Sequence, residues 1–320
     1  MRGDADGIAR ATALLRAGAC VALPTETVYG LAADATDARA VAGIFEAKGR
    51  PRFNPLIAHC ADFESAAREG VFNADARRLA EAFWPGPLTL VVPLADGARV
   101  CDLARAGLRS VALRVPAHPL ATAILHALDR PLAAPSANPS GRISPTSAAH
   151  VAQDLGGRIA AILDGGDTVI GLESTIVACL DGEPRLLRPG GVSRAALEAI
   201  LGRALADPSE HSEPTAPVAP GMLTSHYAPR ARVRLDARMI APGEAALLFG
   251  GTVPEGMVNA VAVENLSETG DLREAAAALF GAMRALDESG ADGIAVAPIP
   301  DHGLGEAIMD RLSRAAADRG

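Results

Sequence analysis

Lysine is nearly missing from this chain. Of its thirty cationic side chains only Lys48 is a lysine. Aromatic residues are scarce too, at 3%, so aliphatic side chains and alanine must build the core and few rings can stack on bases. The four cysteines (Cys20, Cys60, Cys101 and Cys179) lie far apart with no CxxC pair, which excludes a disulfide scaffold or a zinc knuckle and fits buried thiols in a reducing compartment. There is no apolar run of membrane-spanning length. The opening residues Met1 to Asp6 are polar and acidic, unlike a secretory signal, so a cytoplasmic protein is expected. Basic charge is in deficit as well. A net charge of −8 argues against a broad nucleic-acid-binding face, though not against a small basic pocket. GxxxxGK[ST], a strand-borne GxGxxG, metal-spaced His/Cys groups and Gly-x-Ser-x-Gly are all absent.

What is present is a long, aliphatic, globular chain. Its 320 residues exceed one compact core and suggest two domains. Residues 1–203 alternate helical and strand patterns. Helices are expected over Ile8–Leu15, Asp75–Trp84 and His118–Leu128, and from Ser193. Another should be capped by Thr36-Asp37 and ended by Gly49 and Pro51, and one should open at Ser144-Pro145. Strands are expected at Cys20–Leu23, Leu56–Cys60, Leu88–Leu94, Ser110–Val115 and Leu132–Ala134, around Ile162 and Ile176, and at Arg185–Leu187. Residues 204–229 are rich in turn formers and read as a linker. Alternation resumes over 230–320, with strands near Val233, at Ala245–Phe249 and at Gly293–Ala297, and helices at Leu272–Leu286 and Leu304–Ala316. This reads as a small α/β domain with a largely parallel sheet.

Polar residues that packing does not explain gather at strand ends. Thr25 and Thr27 follow the first strand, where α/β sheets commonly take ligands, or where an ordinary hydroxyl turn would stand. Lys48 and Arg50 combine a point charge with a planar fork, a pairing suited to polyphosphate; Asn54 and His59 follow them. A chance survivor on a solvated helix end is the plain alternative for Lys48, and a satisfied core histidine the alternative for His59. Arg114 shares a strand face with Ser110 and Ala112 and must meet solvent, a partner or a ligand carboxylate. Ser136, Asn138 and Ser144 follow another strand as either a phosphate-binding turn or a turn plus a helix cap. Gly171 to Ile176 and Leu187 to Gly191 complete the set.

In order along the chain, PTETVYGL (24–31), KGRPRFNPL (48–56), WPGPLTL (84–90), SVALRVPAHPLA (110–121), APSANPSG (134–141), SPT (144–146), GLESTI (171–176) and RPG (188–190) resemble the threonylcarbamoyl-adenylate synthases, the YrdC-like family. PGM (220–222), HYAP (226–229) and GLGEAIMDRL (303–312) are similar to its long two-domain form. Leu223, Thr224 and Ser225 stand where the family usually places basic residues.

The resemblance implies a twisted mixed sheet flanked by helices, joined to a smaller Rossmann-like domain. It implies synthesis of L-threonylcarbamoyl-adenylate and pyrophosphate from L-threonine, bicarbonate and ATP, for threonylcarbamoyladenosine modification of tRNA. A transferase complex would receive the product, and magnesium would accompany ATP. By the family's motifs, Lys48, Arg50, Ser136 and Asn138 serve catalysis. Thr25, Thr27, His59, Arg114, Ser174 and Thr175 line the threonine side, with Arg114 on the α-carboxylate. Asn54, Ser110, Ser144, Arg188, His226 and Tyr227 join Lys48, Arg50 and Ser136 on the ATP side. His226-Tyr227 reaching back over the nucleotide would make the second domain a lid. Arginine at position 48 is expected to cost activity with little loss of folding. The competing readings are a tRNA- or RNA-binding module without catalysis, a related carbamoyl-handling enzyme and a plain nucleotide hydrolase.

Overall fold

The computed structural model describes residues 1–51, 53–207 and 226–317. The stretch expected as a linker lies largely outside these residues, including Pro220-Gly221-Met222 and Leu223 to Ser225.

The chain order to residue 203 is α1 (Ala5–Arg16), β1 (Val21–Leu23), β2 (Gly30–Asp34), α2 (Ala38–Lys48), β3 (Ile57–His59), α3 (Phe63–Ala67), α4 (Ala74–Phe83), β4 (Leu88–Pro93), β5 (Ser110–Arg114), α5 (Pro119–Leu128), β6 (Leu132–Ala133), α6 (Ala148–Leu155), β7 (Ala161–Ile162), β8 (Thr175–Ala178), β9 (Arg185–Arg188) and α7 (Arg194–Leu201). The strands form one mixed sheet in the order β7-β1-β2-β6-β3-β5-β4-β8-β9. β3/β5 and β4/β8 are parallel, whereas β6/β3, β4/β5 and β8/β9 are antiparallel.

Local chemistry sets the elements that matter for the site. Asp37 accepts from Arg39 N to start α2, and Gly49, left-handed at φ 60°, ends it, so Lys48 closes its last turn. Val41, Ile44 and Phe45 face the core. The expected helix start at Ser144 is wrong: α6 begins at Ala148, capped by Ser147, which accepts from His150 N. Ser144 and Pro145 belong instead to the irregular segment leading in. β2 escapes the sequence pattern because Gly-Leu-Ala-Ala-Asp is buried on both faces and so does not alternate.

The sheet's two faces have different fates. Val111 and Leu113 point into the main apolar core with Leu90, Val92 and Val177. Ile57, Ala112, Val91, Ile176 and Leu187 point the other way in a smaller cluster. The polar cavity described below opens beside that cluster.

The second unit contains β10 (Arg232–Arg234), β11 (Glu244–Leu248), β12 (Val263–Asn265), α8 (Leu272–Glu288), β13 (Gly293–Val296) and α9 (Gly305–Ala316). Its four strands are all parallel, in the order β10-β13-β11-β12. Its core is not self-contained. Val28, Ile143 and Leu172 from the first unit pack into it together with Tyr227, Leu279, Phe280 and Ile308. Gly171 (φ 73°) makes that approach possible, since a Cβ there would lie 2.5 Å from Ala276 O and 2.6 Å from Ala277 Cα in α8. No helix among the described residues is long and apolar enough to cross a membrane.

Candidate functional site

A cavity lies over the middle of the large sheet and brings together Arg50, His59, Arg114, Ser136, Ser174 and Arg188, with His226 and Tyr227 closing it from the second unit's side. His59 and Arg114 are register partners on β3 and β5, and Ile57 shares their face. The pocket therefore sits on a sheet face, and is not confined to the carboxyl ends of strands.

Arg114 is buried. Its Nη2 donates to Glu26 Oε1 at 2.7 Å and to Thr27 Oγ1 at 2.8 Å, and its Nε donates to Gly86 O. Ala117 N fixes the other Glu26 oxygen at 3.0 Å. Thr25 sits one step behind, 2.8 Å from Thr27 Oγ1, accepting from Thr27 N and Val28 N as a hydroxyl turn does. The two threonines thus shape the wall that holds Arg114.

Lys48 is only 3% exposed, and its Nζ donates to the main-chain carbonyls of Ser136 and Asn138. Ser140 N returns a bond to Lys48 O at 2.8 Å. The last turn of α2 is thereby bound to the Ser136–Ser140 loop. Burial, then Arg50, pushes the Lys48 ammonium well below the usual lysine range. The solvated-helix-end reading is excluded. Asn138 donates to Pro139 O and Arg142 O while its buried Oδ1 has no partner.

Arg50 donates from Nη2 to Pro55 O at 3.1 Å and leaves Nε unpartnered; burial brings it down to about 10. Arg188 donates to Ser174 O at 2.8 Å and is also lowered by burial. His59 and His226 are both held at about 3, chiefly by burial, and each has an unpartnered Nδ1. Both are neutral rings. Asn54 is buried with neither amide atom bonded. Unpartnered nitrogens on three of the cavity's own lining residues, Arg50, His59 and His226, mark it as built for a polar ligand.

Several assigned residues are not in the cavity's lining: Lys48, Asn54, Asn138, Thr25 and Thr27 are absent from it, and three others are placed or spent elsewhere. Thr175 is spent on structure: its Oγ1 donates to Val192 O at 2.6 Å and accepts from Val192 N. Ser110 stands at the opposite end of β5 from Arg114 and is absent from the cavity's lining. Ser144 is fully buried and donates to Glu173 Oε1 at 2.5 Å, so it acts through Glu173.

The carboxylates were the residues missed. Glu173 lines the cavity, and Arg311 of α9 donates to its Oε2 at 2.8 Å. Burial alone would raise the Glu173 carboxyl; Arg311, Arg188 and Ser144 outweigh it and hold it at about 2. Glu26 and Glu173 lay inside the PTETVYGL and GLESTI runs. A pocket crowded with arginines needs buried counter-charges, which was the available signal.

Among the described residues no carboxylate lies within ion-pair distance of Lys48, Arg50 or Arg188. The site is thus a cavity lined by Arg50, Arg114 and Arg188 with two neutral imidazoles and the Glu173 carboxylate, Glu26 being the partner of Arg114. A family model described as "Telomere recombination", covering Sua5, YciO and YrdC, matches residues 13–190, and one for the threonylcarbamoyl-AMP synthase C-terminal domain matches 192–317. The threonylcarbamoyl-AMP synthase of Bacillus subtilis is 44% identical over 98% of this chain and 93% of its own.

The chain belongs to the threonylcarbamoyl-AMP synthase family.

The family's Pyrococcus abyssi member is 43% identical over 97% of this chain and 94% of its own. The crystal structure of P. abyssi Sua5 complexed with L-threonine superposes at a TM-score of 0.88 with 40% identity, covering 99% of this chain and 96% of that one. The twisted mixed sheet flanked by helices is accordingly the family's fold.

Proposed function

We propose that this protein makes L-threonylcarbamoyl-adenylate and pyrophosphate from L-threonine, bicarbonate and ATP, in the cytoplasm, and that a tRNA-modifying transferase complex takes the product. The observation that carries the reading is the cavity itself. Two buried arginines without carboxylate partners, Arg50 and Arg188, line it together with an Arg114 already oriented by Glu26 and Thr27, and Lys48 holds the Ser136–Asn138 loop at its edge.

Two anions must meet in this reaction. Bicarbonate takes up a proton and loses water to give carbon dioxide; the neutral threonine amine captures it, gives up a proton and becomes an N-carboxylate, one of whose oxygens attacks the α-phosphorus of ATP. The bond from that phosphorus to the bridging oxygen breaks, and pyrophosphate leaves with the electron pair. Fixed cations lower the repulsion between the partners, and a dry site strengthens their field. Arg114 holds the threonine carboxylate. Arg50 and Arg188 hold phosphate oxygens. Lys48 fixes the Ser136–Asn138 loop from beneath and adds its field. Neutral His59 and His226 offer hydrogen bonds without competing charge.

Magnesium is carried on the triphosphate. Among the described residues no group of three His, Cys, Asp or Glu could cage an ion, and both Glu173 oxygens are already taken. The ion neutralises phosphate charge when bound.

The free space in the cavity is about 50 Å³. Ligand pockets run to about 300–1,000 Å³. ATP needs more room than this, and a shift of His226, which lines the cavity, would supply it.

The test is pyrophosphate release by purified protein with and without L-threonine and bicarbonate. Release that needs both is expected. Release that needs neither would make the protein a hydrolase, and tRNA binding without any release would favour the RNA-binding module.

A further inference from the structure

Arg311 is the largest fully buried side chain in the described structure, and it belongs to α9 of the second unit. Its Nε donates to Glu173 Oε2 at 2.8 Å and its Nη2 to Pro189 O at 3.0 Å, both across the junction. Its guanidinium carbon lies 5.1 Å from the centre of the Tyr227 ring, which also stacks on Phe280. Asp310 completes its surroundings with a bond to Nη1.

Its position matters because of where Glu173 points. Glu173 lines the nucleotide cavity, and Arg188, which donates to the neighbouring Ser174 O, lines it too. An unpaired Glu173 would repel a triphosphate and would draw Arg188 to itself. Arg311 removes both effects from outside the cavity, because it is not among the lining residues. Glu26 and Arg114 form the corresponding internal pair on the threonine side. On the nucleotide side the counter-charge comes from the other unit.

We infer that Arg311 is a positioning residue for the reaction: it neutralises Glu173 across the domain junction and so keeps Arg188 available to the phosphates of ATP. This rests on the synthase reading above. The prime consequence is a selective one. ATP affinity depends on Arg311, whereas threonine affinity, set around Arg114, does not.

The experiment uses full-length protein in four forms: wild type, Arg311→Met, Glu173→Gln and the double variant. Binding of α,β-methylene-ATP and of L-threonine is measured separately by calorimetry, with pyrophosphate release alongside. Arg311→Met should weaken the nucleotide analogue about tenfold or more and leave threonine within about twofold. The double variant should recover most of the nucleotide affinity, because the charge that Arg311 balances is then gone. Equal nucleotide affinity in wild type and Arg311→Met overturns the inference. So does a parallel loss of both ligands that the double variant fails to repair, which would make Arg311 a purely structural brace. Wild-type protein that binds no nucleotide analogue and releases no pyrophosphate overturns the synthase reading itself.

Discussion

Glu26 accepts from Arg114 at 2.7 Å, so the cation assigned to a substrate carboxylate already has a protein carboxylate beside it. Because Ala117 N pins the second Glu26 oxygen, this pair is an orienting one. Arg114→Gln should raise the threonine KM about 10–100-fold with the ATP KM little changed, the cost of one charge-assisted contact. It should also lower stability, since Glu26 is left buried and unpaired. Adding Glu26→Gln should restore the melting temperature and leave the threonine KM high. Recovery of both together would show that Arg114 is only a structural partner.

Lys48→Arg gives a second check. The ammonium is clasped by two loop carbonyls in a space with almost no exposure, and a planar guanidinium is larger and differently shaped. Turnover should fall about 100-fold through displacement of the Ser136–Asn138 loop. The sequence suggested little effect on folding at a helix end. Burial overturns that, and a loss of about 1–3 kcal/mol is expected in denaturant melts.

Gly171→Ala should loosen the joint between the two units. Its Cβ would meet the backbone of Ala276 and Ala277 within 2.6 Å, at a backbone angle that side chains disfavour. We expect a loss of about 2–4 kcal/mol. Small-angle scattering would show whether the units also separate. Wild-type stability in this variant would mean that α8 does not pack as described.

Acid should destabilise the protein in two stages. His59 and His226 are lowered to about 3 in the folded state, against about 6.5 when unfolded. Between those values the unfolded chain binds the extra protons, so stability falls as pH drops below about 6.5. Glu173, lowered to about 2, contributes stability present above about 4.5 and lost as pH falls towards 2. Chemical denaturation from pH 7 to 5 should therefore show a positive slope of stability against pH. His226→Asn should reduce the slope by about one proton. An unchanged slope would mean that His226 is not buried as a neutral ring.

Removal of everything after Arg203 should do more than take away a lid over the nucleotide. The truncated chain would expose Val28, Ile143 and Leu172 and leave Glu173 without Arg311. Weaker ATP use is still expected, now with a lower melting temperature. Unchanged kinetics and melting would contradict the shared core.

Much of the fold was legible where patterns were local. Asp37 and Gly49 bracketed α2, and Ser193 marked α7, because caps and left-handed glycines act through neighbouring residues. β2 was invisible because a strand buried on both faces has no alternation, and α3 because five residues carry too little period. In the site, the runs around Arg50, Arg114, Ser136 and Arg188 led to residues that do line one cavity. What sequence could not reveal was which polar groups are already spent. Thr175 satisfies Val192, and Ser144 serves Glu173, through contacts 17 and 29 residues apart. Arg311 lies 138 residues from the carboxylate it neutralises, and no spacing rule reaches that far.

The shared core also bears on how such a chain can change over time. Val28, Ile143 and Leu172 are apolar because a neighbouring unit covers them, and Gly171 is bare because that neighbour's backbone fills the space of a side chain. A lineage that sheds the smaller unit must therefore rewrite these positions within the larger one, and find Glu173 another cation. The boundary between the two parts is a seam written into both.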